Sequence, residues 1–357
     1  MTADLRVLTA IIVLVIAQPL TAADSAVVLM YHRFGEDSYP STNIRVEQLE
    51  AQLEHLREGG YAVVPLADVL EFLTGGGSLP PRAVVITIDD AYRSVYDVAF
   101  PRFRAAGFPF TVFVATDPVD QGLRAYMTWD QMREMATAGA TYANHGASHD
   151  SLIERQAGES DADWKSRVRA DVDKGWRRLR DELDPVPGVF AYPYGEYDGA
   201  VAGTLRGMGY VAFGQQSGAV GQGSDLRALP RFPMAEAFAD LAEFRTKVAS
   251  RPLPVVAVEP WDPVVLTRRP RIEVTLGDAD ARLSDLACYV SGQGAVEVEW
   301  LTPTKRFRVG PSESFGEGRH RVNCTVPRSD GRYLWFSHPW IIQNTNERRP
   351  ADQHDRR

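Results

Sequence analysis

The chain has 357 residues, 44% of them hydrophobic and 24% charged, the composition of a folded globular protein rather than a disordered one. That length allows two domains, or one barrel with an appendage. A formal net charge of −8 argues against nucleic acid or an anionic membrane surface as the main partner.

The chain begins with export grammar. Arg6 precedes an almost wholly apolar run from Val7 to Ala17, followed by Pro19-Leu20-Thr21-Ala22-Ala23. A basic residue, an apolar core and small residues at the cut predict a secretory signal peptide over residues 1–23, cleaved near Ala22 or Ala23. The run is too short to span a bilayer comfortably, and no later stretch is apolar enough to do so. The expectation is a secreted or periplasmic protein with no transmembrane anchor after cleavage.

Ala26-Val27-Val28-Leu29-Met30-Tyr31-His32 reads as a first strand ending in a functional side chain. Glu47, Leu49, Leu53 and Leu56 have helical spacing, stopped by Gly59-Gly60. Tyr61 to Leu66 reads as a short strand and Ala67 to Leu73 as a short helix. Val84-Val85-Ile86-Thr87-Ile88 is β-branched throughout and ends in Asp89-Asp90. It predicts a buried strand whose carboxylates emerge at the C-terminal rim of a sheet. Arg93 to Ala106 is predicted helical, kinked or interrupted by Pro101. Strands follow at Phe110 to Ala115 and Ala140 to Asn144, with a helix from Trp129 to Thr137 between them. Beyond lie a long charged helix, Asp161 to Leu183, and strands Val189 to Tyr194 and Tyr210 to Phe213. Helices are expected at Gly199 to Gly207 and Phe238 to Val248. Strand-then-helix units without hairpin signals imply parallel strands with crossover helices. About seven such units predict a (β/α) barrel over residues 24–250, distorted or seven-stranded.

After Arg251-Pro252-Leu253-Pro254 the grammar changes to short alternating runs separated by turns, which predict an all-β accessory domain over residues 251–343. A polar tail occupies residues 344–357. Cys288 and Cys324 are the only cysteines. In an exported chain they are expected to form a disulfide, worth roughly 3–4 kcal/mol in the chain-entropy model; two separate buried thiols are the alternative. Cys288, Trp300 and Cys324 resemble the core of an immunoglobulin-like sandwich, although Val322 stands where that fold has its corner tyrosine.

The candidate chemical groups all fall at strand ends of the first domain. Neighbouring side chains of a strand point to opposite sides, so one aspartate can hold a metal while the other serves as a base. The bland alternative is a solvated strand end with Asp90 as a helix cap. His145-Gly146-Ala147-Ser148-His149 follows the strand ending at Asn144, and two imidazoles brought together by a turn suit zinc or a similar divalent ion. One carboxylate and two imidazoles leave coordination positions open, the catalytic pattern.

Thr87-Ile88-Asp89-Asp90 is similar to the first motif of the polysaccharide deacetylases (carbohydrate esterase family 4), usually Thr-Phe-Asp-Asp. His145 and His149 resemble that family's metal-binding second motif. Ala191-Tyr192-Pro193-Tyr194-Gly195 resembles the third, where arginine usually stands two residues before the proline. The resemblance implies that Asp89 is the general base, that Asp90, His145 and His149 bind the metal, and that the Tyr194 backbone N–H helps hold the oxyanion. No histidine lies between His149 and His320, so the family's late catalytic histidine is absent from its usual place. Val28-Leu29-Met30-Tyr31-His32 instead resembles the circularly permuted members acting on poly-β-1,6-N-acetylglucosamine, which implies His32 as general acid.

Two departures remain. Ala191 replaces the arginine that orients the base; Arg231 or Arg93 can substitute, with Arg231 preferred for the strand-like stretch before it. Ala91 stands where glycine is common. Trp129 is either a groove wall or a core residue. The implied activity is metal-dependent N-deacetylation of an N-acetylglucosamine polymer, whether poly-β-1,6-linked, chitin-like or peptidoglycan. The rivals are a non-catalytic carbohydrate-binding protein and a two-carboxylate glycosidase; adjacent carboxylates cannot readily flank a glycosidic bond.

Overall fold

The computed structural model describes residues 23–343. The expected signal peptide, apart from Ala23, and the polar tail lie outside them.

Six parallel strands neighbour one another in chain order: β1 (Ser25–Tyr31), β2 (Ala83–Asp89), β3 (Phe110–Val114), β4 (Thr141–Asn144), β5 (Val189–Ala191) and β6 (Val211–Phe213). Both faces are covered, so the strands read as continuous apolar runs. Alternate residues still go to different places. Val84, Ile86 and Ile88 join a core with Leu49, Leu53 and Leu56 of helix α1 (Val46–Glu58) and with Phe103 of helix α2 (Phe100–Ala106). Val28 and Val85 pack instead with Phe113, Ala143, Ala191 and Phe213, the barrel interior. Thr87 and Asp89 belong to this second set by alternation.

The stretch after β6 closes the gap to β1. Strand β7 (Ala219–Gly221) returns antiparallel to β1, a pairing that the all-parallel expectation did not contain. Leu229 then bridges Phe213, and strand β8 (Phe232–Pro233) lies parallel to Leu29 and Met30. The domain is a distorted α/β barrel sealed by a short extended segment that carries Arg231.

Two expected elements take different forms. The helix predicted from Arg93 becomes a π-helical turn, Val95–Ala99, followed by α2, with Pro101 in the first turn of the new helix. A proline has no N–H to close the ladder, and the wider turn absorbs the discontinuity. The strand predicted to reach Tyr194 ends at Ala191 and gives way to a 3₁₀ turn, Pro193–Gly195. Trp129 is half-buried at the edge of the main cluster: it packs against that cluster, donates to Asp120 (2.8 Å) and carries Arg178 over its ring.

From Arg251 the chain is built of β-strands in two sheets that share one core. Ile272, Val274 and Phe307 of one sheet meet Cys288, Val322 and Leu334 of the other. Cys288 and Cys324 form the expected disulfide. They are directly paired residues on adjacent antiparallel strands of the same sheet. An immunoglobulin core instead ties its two sheets together, so the disulfide here does not follow the immunoglobulin arrangement. The β-region seats against the barrel: Trp335 meets Phe232 edge-on at 5.1 Å, and Trp261 packs on Tyr197. Among the described residues no helix is long and apolar enough to cross a membrane.

Candidate active site

Asp89 is the last residue of β2, fully buried, and its side chain faces the barrel interior. An isolated carboxylate there would be prohibitively costly. Arg231, also fully buried, meets it with two parallel hydrogen bonds, Nη1 to Oδ1 and Nη2 to Oδ2, both 2.7 Å. The guanidinium donates further to Thr87 Oγ1 (3.2 Å) and to the Gly214 carbonyl (3.0 Å), so both charges are hydrogen-bonded. Burial pushes the Asp89 pKa up, but Arg231 and the nearby His145 outweigh it and hold the carboxyl below the ordinary range. Arg93, the other candidate, pairs instead with Asp97 at the surface.

His32 follows β1. Tyr31 is registered beside Ile88, so His32 emerges beside Asp89, with Nε2 3.9 Å from Oδ2. Burial lowers its pKa, against the opposing pull of Asp90 and Asp89.

Asp90 leaves the strand through left-handed backbone (φ 75°), as does Ala91 (φ 58°). This turn takes Asp90 out of the strand's alternation. Its Oδ1 receives the Nε2 atoms of His149 at 2.8 Å and His145 at 3.2 Å. Neither approach has hydrogen-bond geometry, and this buried oxygen has no hydrogen-bond partner. The three ligand atoms lie within 4.8 Å of one another. Three convergent lone-pair donors, one of them an orphaned buried oxygen, fit a small divalent cation. His145 Nδ1 lies 2.7 Å from the Ala191 carbonyl, which fixes the ring and leaves Nε2 as the ligating atom. Ala191 thus serves the site through its backbone, where the family pattern has an arginine side chain.

The histidine loop has its own scaffold. Asp171, on helix α3 (Asp161–Leu183), accepts from the backbone N–H of Ala147 (3.0 Å) and Ser148 (2.9 Å). Asn144 accepts from Gly146 N–H and donates to the Val172 carbonyl. Gly146 sits at φ 80°, and a Cβ there would come within 2.6 Å of Asp171 Oδ2, so only glycine fits. Neither Asp171 nor Asn144 was singled out in sequence. A signal existed for Asp171: it lies three residues after Val168 and four before Gly175, both buried on the same helix face.

Tyr194 caps the site from β5. It adopts left-handed backbone (φ 59°), and its exposed ring meets His149 edge-on at 4.7 Å. Strained backbone at Asp90, His149 and Tyr194 together marks a place where geometry is held for use. Around the mouth, Arg33 lies over the rings of Tyr39 and Tyr92, and Tyr92 packs on Tyr126.

Residues 76–213 match the sequence model of the polysaccharide deacetylase family. That span contains Asp89, Asp90, His145, His149 and Tyr194, while His32 and Arg231 lie outside it. A poly-beta-1,6-N-acetyl-D-glucosamine N-deacetylase of Escherichia coli (strain K12) is 30% identical over 227 residues, 54% of this chain and 34% of the relative. The chain therefore matches about a third of the length of that curated relative. The structure of IcaB from Ammonifex degensii is 26% identical, covers 64% of this chain and 97% of its own, and superposes with a TM-score of 0.54. The Streptococcus pyogenes deacetylase PplD, 20% identical with a TM-score of 0.57, covers 64% of this chain and 99% of its own and shares the fold. The sequence match, the barrel and the grouping of Asp90, His145 and His149 agree, and residues 76–213 fall within a polysaccharide deacetylase domain.

Proposed function

We propose that this protein hydrolyses the acetamide of N-acetylglucosamine units in an extracytoplasmic polysaccharide, releasing acetate and leaving a free amine on the sugar. The observation that carries this reading is one rim bearing three different tools. These are a carboxylate kept charged by Arg231, an imidazole 3.9 Å away, and an Asp-His-His cluster suited to a divalent cation.

Asp90, His145 and His149 would hold the cation, with zinc suggested by the imidazole-rich donor set. When bound it supplies charge that polarises an amide carbonyl and acidifies water. Asp89 takes the proton of the attacking water as the new C–O bond forms, and its low pKa keeps it unprotonated for that task. The Tyr194 N–H donates to the developing oxyanion. His32, in the protonated form that the Asp90 and Asp89 carboxylates favour, gives its proton to the nitrogen as the C–N bond breaks, so the sugar leaves as an amine and acetate is left behind. Poly-β-1,6-N-acetylglucosamine is the first substrate to test, by similarity to the relatives named above, with chitin-like oligomers and peptidoglycan as alternatives. A secreted or periplasmic location follows from the segment before Ala23.

Asp89→Asn and His32→Ala are expected to retain stoichiometric metal by elemental analysis while acetate release falls at least about a hundredfold. Wild-type rates in either variant would move that role to another residue.

A further inference from the structure

The strand Gly318–Pro327 of the β-region delivers one side chain to the active-site rim. Arg319 Nη1 donates to the Tyr194 carbonyl at 2.7 Å, and its Nε lies 3.6 Å from Glu196 Oε1. Glu196 Oε2 accepts from Ser151 Oγ at 2.5 Å, just beyond the histidine loop. One guanidinium from the second sheet system therefore touches the turn carrying Tyr194 and, through Glu196, the segment following His149.

That turn needs holding. Tyr194 is a non-glycine residue in left-handed backbone, where its Cβ crowds the carbonyl oxygen and the conformation is unfavourable on its own. The following Gly195 is also left-handed (φ 70°), and a Cβ there would come within 2.6 Å of Gln215, so this residue cannot relax outward with a side chain. Gly195 N–H donates to the Tyr192 carbonyl at 2.8 Å. The Tyr194–Gly195 peptide is thus held at its N–H end by the buried Tyr192 within the turn and at its C=O end by Arg319. Fixing both ends of that plane constrains ψ of Tyr194, and with it the turn from which its N–H and side chain face the histidine loop. Arg319 is more than half exposed, so its charge adds little stability by itself. Its contribution is geometric.

We infer that Arg319 is a positioning residue, by which the β-region holds the Tyr194 turn in its working conformation. This makes the second domain part of the deacetylase site rather than a separate appendage. The inference rests on the proposed deacetylation for its kinetic consequence, but the contact can be tested without it.

The experiment compares the full chain with Arg319→Ala and Arg319→Lys. Hydrogen exchange is read over residues 192–197, together with kcat and KM on a soluble β-1,6-N-acetylglucosamine oligomer, metal content and Tm. In Arg319→Ala, exchange at the Gly195 amide is expected to rise about tenfold while the barrel strands keep their protection. With it, kcat falls about tenfold at unchanged KM and unchanged metal content, and Arg319→Lys recovers part of the loss. Unchanged exchange at 192–197 overturns the inference, as does a fall in Tm without that local change. A rise in KM alone also overturns it, because it would make Arg319 a substrate contact. If the wild-type protein releases no acetate, the deacetylase reading fails, and the exchange measurement still decides whether Arg319 holds the turn.

Discussion

Asp89 and Arg231 are both fully buried, and each is tolerable there only because of the other. Arg231→Met is expected to cost about 3–5 kcal/mol in denaturant unfolding, since it strands a carboxylate inside the barrel. It should also abolish acetate release, because an unpaired Asp89 takes up a proton. Adding Asp89→Asn should restore most of the stability and none of the activity; a single-variant loss below about 1 kcal/mol contradicts the pairing. Asp171→Ala should weaken metal binding about 10–100-fold by competition with a chromophoric chelator, with little change in Tm. Equal affinity would show that the histidine loop holds itself. Asp89, Asp90, His145 and His149 were legible because their residue types and spacing are uncommon together. Arg231 was preferred over Arg93 only for the strand-like stretch before it; Arg231 does pair with Asp89, but what decides it is where the closing segment crosses the barrel, a long-range fact. Asp171 looked like any acid on a charged helix until its face was known.

At the scale of elements, β-branched runs such as Val84 to Ile88 announced the strands, because burial on both faces leaves no room for polar residues. Endings were harder. Pro101 marked a disturbance but not its form, a π turn, whereas Pro193 was read inside a strand and instead opens a 3₁₀ turn in which Tyr194 is left-handed. Strand β7 was missed because three residues carry too short a pattern. The cysteine pairing was read correctly, whereas the immunoglobulin likeness was not supported by its placement: spacing along the chain cannot tell a bridge within a sheet from one between sheets. The bridge closes a separation of 36 residues. Replacing both cysteines by alanine is expected to lower unfolding free energy by about 3 kcal/mol while leaving acetate release per folded molecule unchanged. A loss of activity beyond the loss of fold would mean that the change is passed along the strand to Arg319, which lies on it with Cys324.

For the whole molecule, the barrel and the β-region behave as neighbours sharing aromatic contacts, with Trp335 on Phe232 and Ile341 in the cluster of Tyr192 and Tyr197. The change of grammar near Pro252 was plain in the sequence; this contact was not, because exposed-looking aromatics do not name their partners. Acid should loosen the molecule from the β-region. Burial holds the His338 imidazole down to about 3, against 6.5 for an ordinary histidine. Between those values the unfolded chain binds the additional proton, so this contribution to stability is complete above about 6.5 and lost as pH falls toward about 3. The slope is on the order of 1 kcal/mol per pH unit. His338→Leu should flatten the fall of stability with pH across that window relative to wild type; parallel curves would contradict the assignment. The central claim concerns what the rim does to an acetylated sugar. The most direct measurement is acetate released from soluble β-1,6-N-acetylglucosamine oligomers by the wild-type protein, before chelation, after it, and after zinc is restored. Release should be abolished by chelation and recovered with zinc, with none from His149→Ala. Retention of the oligomer with no acetate under any of these conditions would contradict it and leave a sugar-binding protein.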